Sequence, residues 1–356
     1  MHNNLYILGT RGIPNKYGGF EEFAEQMYLF SKSDNDTNII VTGIEKSHFS
    51  NTKYFKPISF FGEFVKQIIY DTMASVWILF QPKGTIYHCG YGTAFLGIFV
   101  IRFTKLFHSH KIILNIDGLE WKRSKFNLLT RGLVKVVEAL SIYSVDTIIA
   151  DNGGINKYIT KNYNKKSKII AYGSYIEPKI LFNDTKFNNN ISSICRQNYD
   201  LVIARIEPEN NIDKIILSYN KSNRILLIIG NHSTKYGDYL KSISTKNIIW
   251  GGAIYEKYNI EFLRQNCQYY IHGHSVGGTN PSLLQAMASK CKLLMHNNDF
   301  NKEVALGLFW NNHNDLAIIH SSKSEINFQD LIKNNLQKIK TIYSWKNIYN
   351  ETVNLI

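Results

Sequence analysis

A chain of 356 residues that is 44% apolar and 19% charged, with only 6 Pro and 23 Gly, has the length of two folded domains and excludes a disordered, collagen-like or low-complexity polymer. Its 41 Lys and Arg against 28 Asp and Glu leave a net charge of +13. The excess concentrates between residues 99 and 135, where Arg102, Lys105, Lys111, Lys122, Arg123, Lys125, Arg131 and Lys135 meet only Asp117 and Glu120. Such a patch attracts polyanions, namely nucleic acid, anionic lipid headgroups or a phosphorylated substrate.

Cys89, Cys195, Cys267 and Cys291 form no CxxC and no paired spacing, as expected of free thiols in a reducing cytosol. The opening MHNNLYILGT lacks a basic segment followed by a long apolar run, so no signal peptide is expected. The longest apolar stretch, 91–101, closes at Arg102 and falls short of the roughly 20 residues a membrane span needs. The protein is therefore expected to be cytoplasmic and not integral to a membrane.

Short apolar runs alternate with amphipathic stretches, the pattern of parallel sheets with helical crossovers. The first half predicts strands at 5–8, 39–42, 85–88, 111–116, 147–150 and 168–171 with helices between them. In the helix predicted over 20–30, Phe20, Phe23, Ala24, Met27 and Phe30 recur at three- and four-residue intervals while Glu21, Glu22, Glu25 and Gln26 face away. Periodicity lapses after 171 in a polar, Asn-rich stretch and resumes at 200. The second half predicts strands at 201–204, 225–229, 248–250, 269–272 and 292–296, and helices at 212–219, 236–243, 260–264 and 281–288. The expected organisation is an α/β chain of two doubly wound Rossmann-like domains facing across a cleft: residues 1–175, a linker at 176–199, and residues 200–340. A C-terminal helix at 341–356 packs back on the first domain. In open parallel sheets ligands sit outside the carboxyl ends of the strands, which is where candidate residues are sought.

The first strand runs into Gly9-Thr10-Arg11-Gly12-Ile13-Pro14-Asn15-Lys16-Tyr17-Gly18-Gly19. Gly18 and Gly19 at a helix N-terminus offer amides to an anion. The segment fits a tight turn, a nicotinamide fingerprint of irregular spacing, or a sugar-nucleotide site. At the next sheet's first strand exit stands Ala204-Arg205-Ile206-Glu207-Pro208-Glu209-Asn210-Asn211. Arg205 there can aim a forked donor at a diphosphate, or pair on the surface with Glu207 or Glu209.

In the stretch 272–287, a strand end leads through Gly277-Gly278 to a helix with Thr279 or Asn280 as N-cap and Pro281 at its first position. Its amides suit a phosphate, and Gln285, one turn in, a ribose. His272 and His274 alternate with glycine but have no third ligand at a metal spacing, so no metal is expected. The strand at 111–116 delivers Asp117-Gly118-Leu119-Glu120-Trp121-Lys122-Arg123. Asp117 suits a hydroxyl, Trp121 a sugar face, and Lys122 and Arg123 a phosphate, unless the segment is an ordinary charged loop. His88 ends the preceding strand, where it serves either structure or ligand. Asp34-Asn35-Asp36 matches the DxD of metal-dependent glycosyltransferases, but in a polar helix-to-strand loop it reads as chance.

Together GTRGIPNKYGGFEEF, NIDGLEWKR, ARIEPENN and HGHSVGGTNPSLLQAMA, in that order, resemble the bacterial retaining glycosyltransferases of family 4, and within them the β-1,4-rhamnosyltransferases of capsule, O-antigen and cell-wall synthesis. The resemblance implies a GT-B fold and a nucleotide sugar, dTDP-rhamnose above all, held mainly by the second domain. It also implies a lipid-linked saccharide acceptor held by the first. By motif, Arg205 contacts the diphosphate, the Gly277, Gly278, Thr279 and Asn280 amides touch phosphate and sugar, and Gln285 meets the ribose. His88, Asp117, Trp121, Lys122 and Arg123 fall to the acceptor, and Arg205 and Asp117 to catalysis.

The family uses no cofactor or metal, and its retention is explained by front-face attack, with the departing diphosphate taking the acceptor's proton. Two features depart: the wider family carries a Lys near Asn210, and glutamates where Gly277 and Gln285 stand here. The basic patch then suits the inner face of the cell membrane, and no nucleic-acid signature accompanies it. Other readings are a different UDP- or GDP-hexose donor, a sugar-nucleotide epimerase of the same fold, or a non-catalytic basic binding protein.

Overall fold

A computed structural model describes residues 3–16, 18–34, 36–58, 62–106, 109–116, 118–122, 127–183, 189–322 and 327–356. The chain divides into two compact units, residues 1–172 with 345–356, and residues 173–344. The first contains β1 (Asn3–Leu8), α1 (Gly19–Ser31), β2 (Thr37–Gly43), β3 (Thr52–Tyr54), α2 (Glu63–Ile78), β4 (Thr85–Cys89), α3 (Phe95–Phe103), β5 (Lys111–Ile116), α4 (Leu128–Ser144), β6 (Thr147–Ala150), α5 (Gly153–Tyr163) and β7 (Lys168–Ile169). The second contains α6 (Asn189–Cys195), β8 (Tyr199–Ile203), α7 (Ile212–Tyr219), β9 (Ile225–Ile229), α8 (Lys235–Ser242), β10 (Ile248–Gly252), α9 (Lys257–Asn266) and β11 (Tyr270–His272). It continues with α10 (Pro281–Ala288), β12 (Leu293–His296), α11 (Asp299–Val304), β13 (Leu308–Trp310), α12 (His313–Ser321) and α13 (Phe328–Thr341), and α14 (Trp345–Val353) returns to the first unit.

Each unit is built on one parallel sheet. The first runs β3-β2-β1-β4-β5-β6-β7 and the second β10-β9-β8-β11-β12-β13. Parallel strands covered on both faces carry continuous apolar runs, and Leu5, Tyr6, Ile7 and Leu8 of β1 are accordingly all buried. Around them Tyr70, Ala74 and Ile78 of α2, Ile86 and Ile112 close one core. In the second unit Val202, Ile215, Ile216, Leu226, Ile228, Ile271 and Leu294 do the same.

The edge strands β3 and β13, three residues each, are too short to show a sequence period. Strand β7 keeps only two residues of the expected four, paired to β6 at Lys168 and Ile169. Of the apolar positions expected on α1, Phe23, Ala24 and Met27 are buried, whereas Phe30 lies half-exposed and stacks on Tyr349 of α14 at 5.6 Å. Residues 176–199, expected as a linker, belong to the second unit, where the Ile180 N–H donates to Gln265 Oε1 and Gln265 Nε2 to the Pro178 carbonyl.

In each sheet the strand order reverses at one place, between β1 and β4 and between β8 and β11. The crevice outside the carboxyl ends of such a strand pair is where open α/β sheets bind ligands. In the second unit the segments leaving that pair are 204–211 and 273–280.

Candidate functional site

The two segments of the second unit lie 60 to 70 residues apart in sequence and are bonded together at the switch point. Asn211 Nδ2 donates to the Gly273 carbonyl at 2.7 Å, and the backbone N–H and Oγ of Ser275 both donate to the Glu209 carbonyl, at 2.9 and 2.8 Å. Gly273 permits this approach, since a Cβ there would sit 2.1 Å from the Asn210 oxygen. Asn210 Nδ2 donates to the Arg205 carbonyl at 2.7 Å, which fixes the Arg205 backbone and leaves its side chain to the surface.

The Arg205 side chain is 67% exposed and meets Glu207 only loosely, at 3.7 Å. A surface contact of that kind is worth little, about 0–1 kcal/mol, so an arriving anion competes with it easily. Sequence reasoning set His274 aside, yet the positive Arg205 reaches it. Burial first and Arg205 second push the His274 imidazole down to about 3, so it is neutral at ordinary pH. His272 stacks on it with ring centroids 4.2 Å apart, is buried without a partner on either ring nitrogen, and is held well below its usual value by burial and then by His274 and His296. Among the described residues no group of three or more His, Cys, Asp or Glu is placed to hold a metal ion.

Helix α10 is capped by Asn280, whose side chain accepts from Ser282 N at 2.9 Å while its carbonyl accepts from Leu283 N at 3.0 Å. With Pro281 lacking an N–H, the first helical amides are largely engaged. The turn 277–280 leads into this cap, and Gly277 enters it at φ +126, a backbone region that favours glycine. Ser282 and Tyr270 close the turn from beneath, their hydroxyls 2.6 Å apart and both reaching the Ile203 carbonyl at the end of β8.

Gln285 is half-buried, and its Oε1 accepts from Arg264 Nη2 at 2.6 Å. Arg264, itself buried, lies 3.7 Å from Glu261, which accepts from Ser289 Oγ at 2.8 Å. The amide expected at a ribose is thus oriented by a buried cation on α9, a partner no sequence spacing announced.

In the first unit the expected residues fare differently. The Gly18–Gly19 end of α1 carries a resident carboxylate. Glu21 is buried in that first turn and accepts from Arg11 N at 2.8 Å, and Glu25 accepts from Asn15 N at 2.8 Å. A bound anion at those glycines would meet Glu21 at short range, and here the α1 acids hold the backbone of Arg11 and Asn15 against the helix. His88, expected at the acceptor, is 0% exposed, enclosed in a strand buried at every position, with both nitrogens unpartnered and its basicity pushed down to about 4 by burial. It presents nothing to a surface ligand.

Trp121 stands in a short 3-10 turn, donates from Nε1 to Tyr158 Oη at 3.1 Å, and carries the Lys135 ammonium 5.0 Å from its ring centre. That cation lies over one face of the ring. Asp117 and Arg123 lie outside the described residues, as does the Lys122 side chain. So does Asn35 of the DxD match, while its neighbour Asp34 accepts from Tyr349 Oη and thereby ties α14 to the first unit.

Residues 2–175 match a family described as a domain of unknown function (DUF1972). Among curated proteins none matches the sequence. Solved structures do share its architecture. Sucrose-phosphate synthase from Thermosynechococcus elongatus superposes with TM-score 0.79 at 12% identity, over 99% of this chain and 98% of that one. HepE from Anabaena, in complex with UDP and glucose, gives 0.71 at 12% identity over 99% of each chain. The fold is GT-B. A UDP-forming α,α-trehalose-phosphate synthase from Burkholderia xenovorans, in complex with glucose-6-phosphate, gives 0.73 at 8% identity over 99% of each chain.

Proposed function

We propose that this GT-B protein is a retaining, metal-independent hexosyltransferase that moves L-rhamnose from dTDP-rhamnose to a polyprenyl-diphosphate-linked saccharide in surface-polysaccharide synthesis. The observation that supports it is that the segment carrying Arg205 is bonded to the segment leading into the 277–280 turn at the switch point of the second sheet, through Asn211 to Gly273 and Ser275 to Glu209. An exposed guanidinium and a glycine-entered turn there suit a diphosphate.

In this reading the second unit holds the donor. Arg205 neutralises the diphosphate, the Gly277, Gly278, Thr279 and Asn280 backbone sits against phosphate and sugar, and Gln285, oriented by Arg264, meets the ribose. As the anomeric C–O bond breaks, its electron pair goes to the diphosphate, whose growing charge is met by Arg205 and peptide N–H groups. The acceptor hydroxyl attacks the same face of the sugar, and its proton passes to the departing phosphate oxygen. Nothing in this sequence of events needs a side-chain nucleophile or a divalent ion. Asp117, Trp121, Lys122 and Arg123 of the first unit orient the acceptor, and the enzyme works at the inner face of the cell membrane, where such acceptors reside.

The test is release of dTDP, UDP or GDP over a panel of sugar nucleotides, with and without a lipid-linked saccharide and in the presence of EDTA. Acceptor-dependent dTDP release from dTDP-rhamnose, unaffected by EDTA, is expected. Strict dependence on a divalent ion, interconversion of nucleotide sugars without acceptor, or no release from any donor would each overturn the reading.

A further inference from the structure

Helix α4 is inside out. Its buried residues are Glu138, Ser141, Ile142 and Ser144, whereas Leu129 is 83% exposed, Leu133 68%, Val136 56% and Leu140 45%. Those four outward positions follow one another at four-, three- and four-residue steps, so they form a single stripe along the helix. An amphipathic helix of a water-soluble protein has the opposite sense, apolar toward the core and polar outward.

The neighbouring elements share the anomaly. Helix α3 packs against both α2 and α4. Apart from Arg102 it is apolar, and it leaves Leu96 and Phe103 exposed. Helix α2 buries Tyr70, Ala74 and Ile78 on one face and on the other lines a groove of about 560 Å³ with Ile68, Ile69, Met73, Val76 and Trp77, closed by Leu96 of α3 and Phe55. Contiguous exposed apolar surface of this extent marks a contact with a partner or a membrane.

Charge decides between them. The cations on this face sit against its apolar and aromatic groups. Lys53 lies 5.9 Å from the Phe55 ring and 5.8 Å from that of Trp77 at the groove, and Lys165 lies 5.2 Å from the half-exposed ring of Tyr143 at the end of the α4 stripe. Lys135 is exposed on α4, Arg102 on α3 is half-exposed and only loosely paired with Asp146 at 3.7 Å, and the one acid of α4, Glu138, is fully buried. Long basic side chains and tyrosine around an apolar centre are the composition of surfaces that sink to the headgroup level of an anionic bilayer. Among the described residues no helix is long and apolar enough to cross a membrane.

We propose that the α2–α3–α4 face of the first unit docks onto an anionic bilayer, with the α4 leucine stripe immersed among the acyl chains, the α2–α3 groove receiving one hydrocarbon chain, and the cations meeting lipid phosphates. This deepens the membrane element of the proposed function by naming the surface, but its argument rests on the face alone and stands whether or not the protein transfers sugars.

The test is co-sedimentation of the full chain with phosphatidylcholine vesicles and with mixed phosphatidylcholine–phosphatidylglycerol vesicles at low and high salt, run beside light scattering of the free protein. Preferential, salt-weakened binding to the mixed vesicles is expected. Leu133→Glu and Val136→Glu, both on exposed positions, should each lower that binding about tenfold with an unchanged circular dichroism spectrum. A Met73→Trp change that fills the groove should weaken binding less. Donor hydrolysis in solution should be the same in Leu133→Glu as in the parent, which separates this proposal from the reading of the active site. Equal binding of the parent and Leu133→Glu, or no binding to anionic vesicles, would overturn it. So would a stable dimer that Leu133→Glu dissociates, because the face would then belong to a second copy of the chain.

Discussion

Asn211 and Gly273, 62 positions apart in sequence, are joined by a 2.7 Å bond from the Asn211 side chain to the Gly273 carbonyl, and this bond sets the spacing between the Arg205 segment and the 277–280 turn. Asn211 also sits at φ +50, a left-handed conformation that asparagine tolerates better than most residues. Asn211→Ala loses both properties and should cost about 1–3 kcal/mol by denaturant titration. Asn211→Gly keeps the conformation and loses only the bond, so it should recover part of that stability while still raising the donor KM. Equal donor KM values in the parent and both variants would remove the bond from the site.

Arg205 is mostly solvent-exposed and paired only loosely, so removing it leaves the fold alone. Arg205→Ala should melt within a degree or two of the parent, since surface changes stay within about 0.5 kcal/mol. Its turnover should drop by about 10²-fold, the usual cost of deleting one group that stabilises developing charge. Arg205→Lys should recover a fraction, because an ammonium cannot reproduce a forked guanidinium contact. Loss of activity in proportion to loss of folded protein would assign Arg205 a structural role instead.

Gln285 and Arg264 form a second separable pair. With Gln285→Ala the guanidinium of buried Arg264 loses the partner at 2.6 Å, at an expected cost of about 1–3 kcal/mol. Gln285→Glu places a second carboxylate on Arg264 beside Glu261, and the cation should hold that new carboxyl ionised at neutral pH. Denaturant titration should therefore find Gln285→Glu folded and close to the parent in stability, with a changed KM for donor. An unchanged donor KM in both variants would place Gln285 outside the ribose contact.

The strands other than β3 and β13, their order of appearance and both segments of the second-unit site could be read from the sequence because each is a local signal: an apolar run, then glycines or an arginine at its exit. What joins those segments could not. The Ser275–Glu209 and Arg264–Gln285 bonds link residues 66 and 21 positions apart through partners with no characteristic spacing. His88 is enclosed for a physical reason. In TIYHC all five positions are buried, so a strand-end histidine that alternation would turn toward a ligand is enclosed by the second covered face. Gly18 and Gly19 looked bare because the carboxylate that serves their loop, Glu21, reads in sequence as part of the polar face of α1.

The enclosed histidines set an acid limit on stability. Burial lowers His88 to about 4 in the folded first unit, whereas in the unfolded chain it titrates near 6.5. Below about 6.5 the unfolded state binds the proton and the folded state does not, so stability falls as pH drops from about 6.5 to 4, by up to about 3 kcal/mol. Above 6.5 both states are neutral and the contribution is constant. Denaturant titrations of the parent and of His88→Leu should converge or cross as the pH is lowered through this window, with the variant the less acid-sensitive. Parallel pH profiles would show that His88 ionises as readily in the fold as in the unfolded chain.

Glu138 is the polar centre of α4, 0% exposed, and its Oε1 accepts from Tyr158 Oη at 2.6 Å and Tyr163 Oη at 2.5 Å. Tyr158 in turn accepts from Trp121 Nε1, so the carboxylate supports the turn at 120–122 through one intermediary. Glu138→Ala leaves two phenols without their acceptor inside the core and should cost about 2–4 kcal/mol in urea unfolding. Glu138→Gln retains a carbonyl oxygen for the phenols and should cost less. If the chain of bonds holds Trp121, its fluorescence should shift to the red in Glu138→Ala and in Tyr158→Phe while Tyr163→Phe leaves it in place. A Trp121 spectrum insensitive to both changes would confine Glu138 to the packing of α4 against α5.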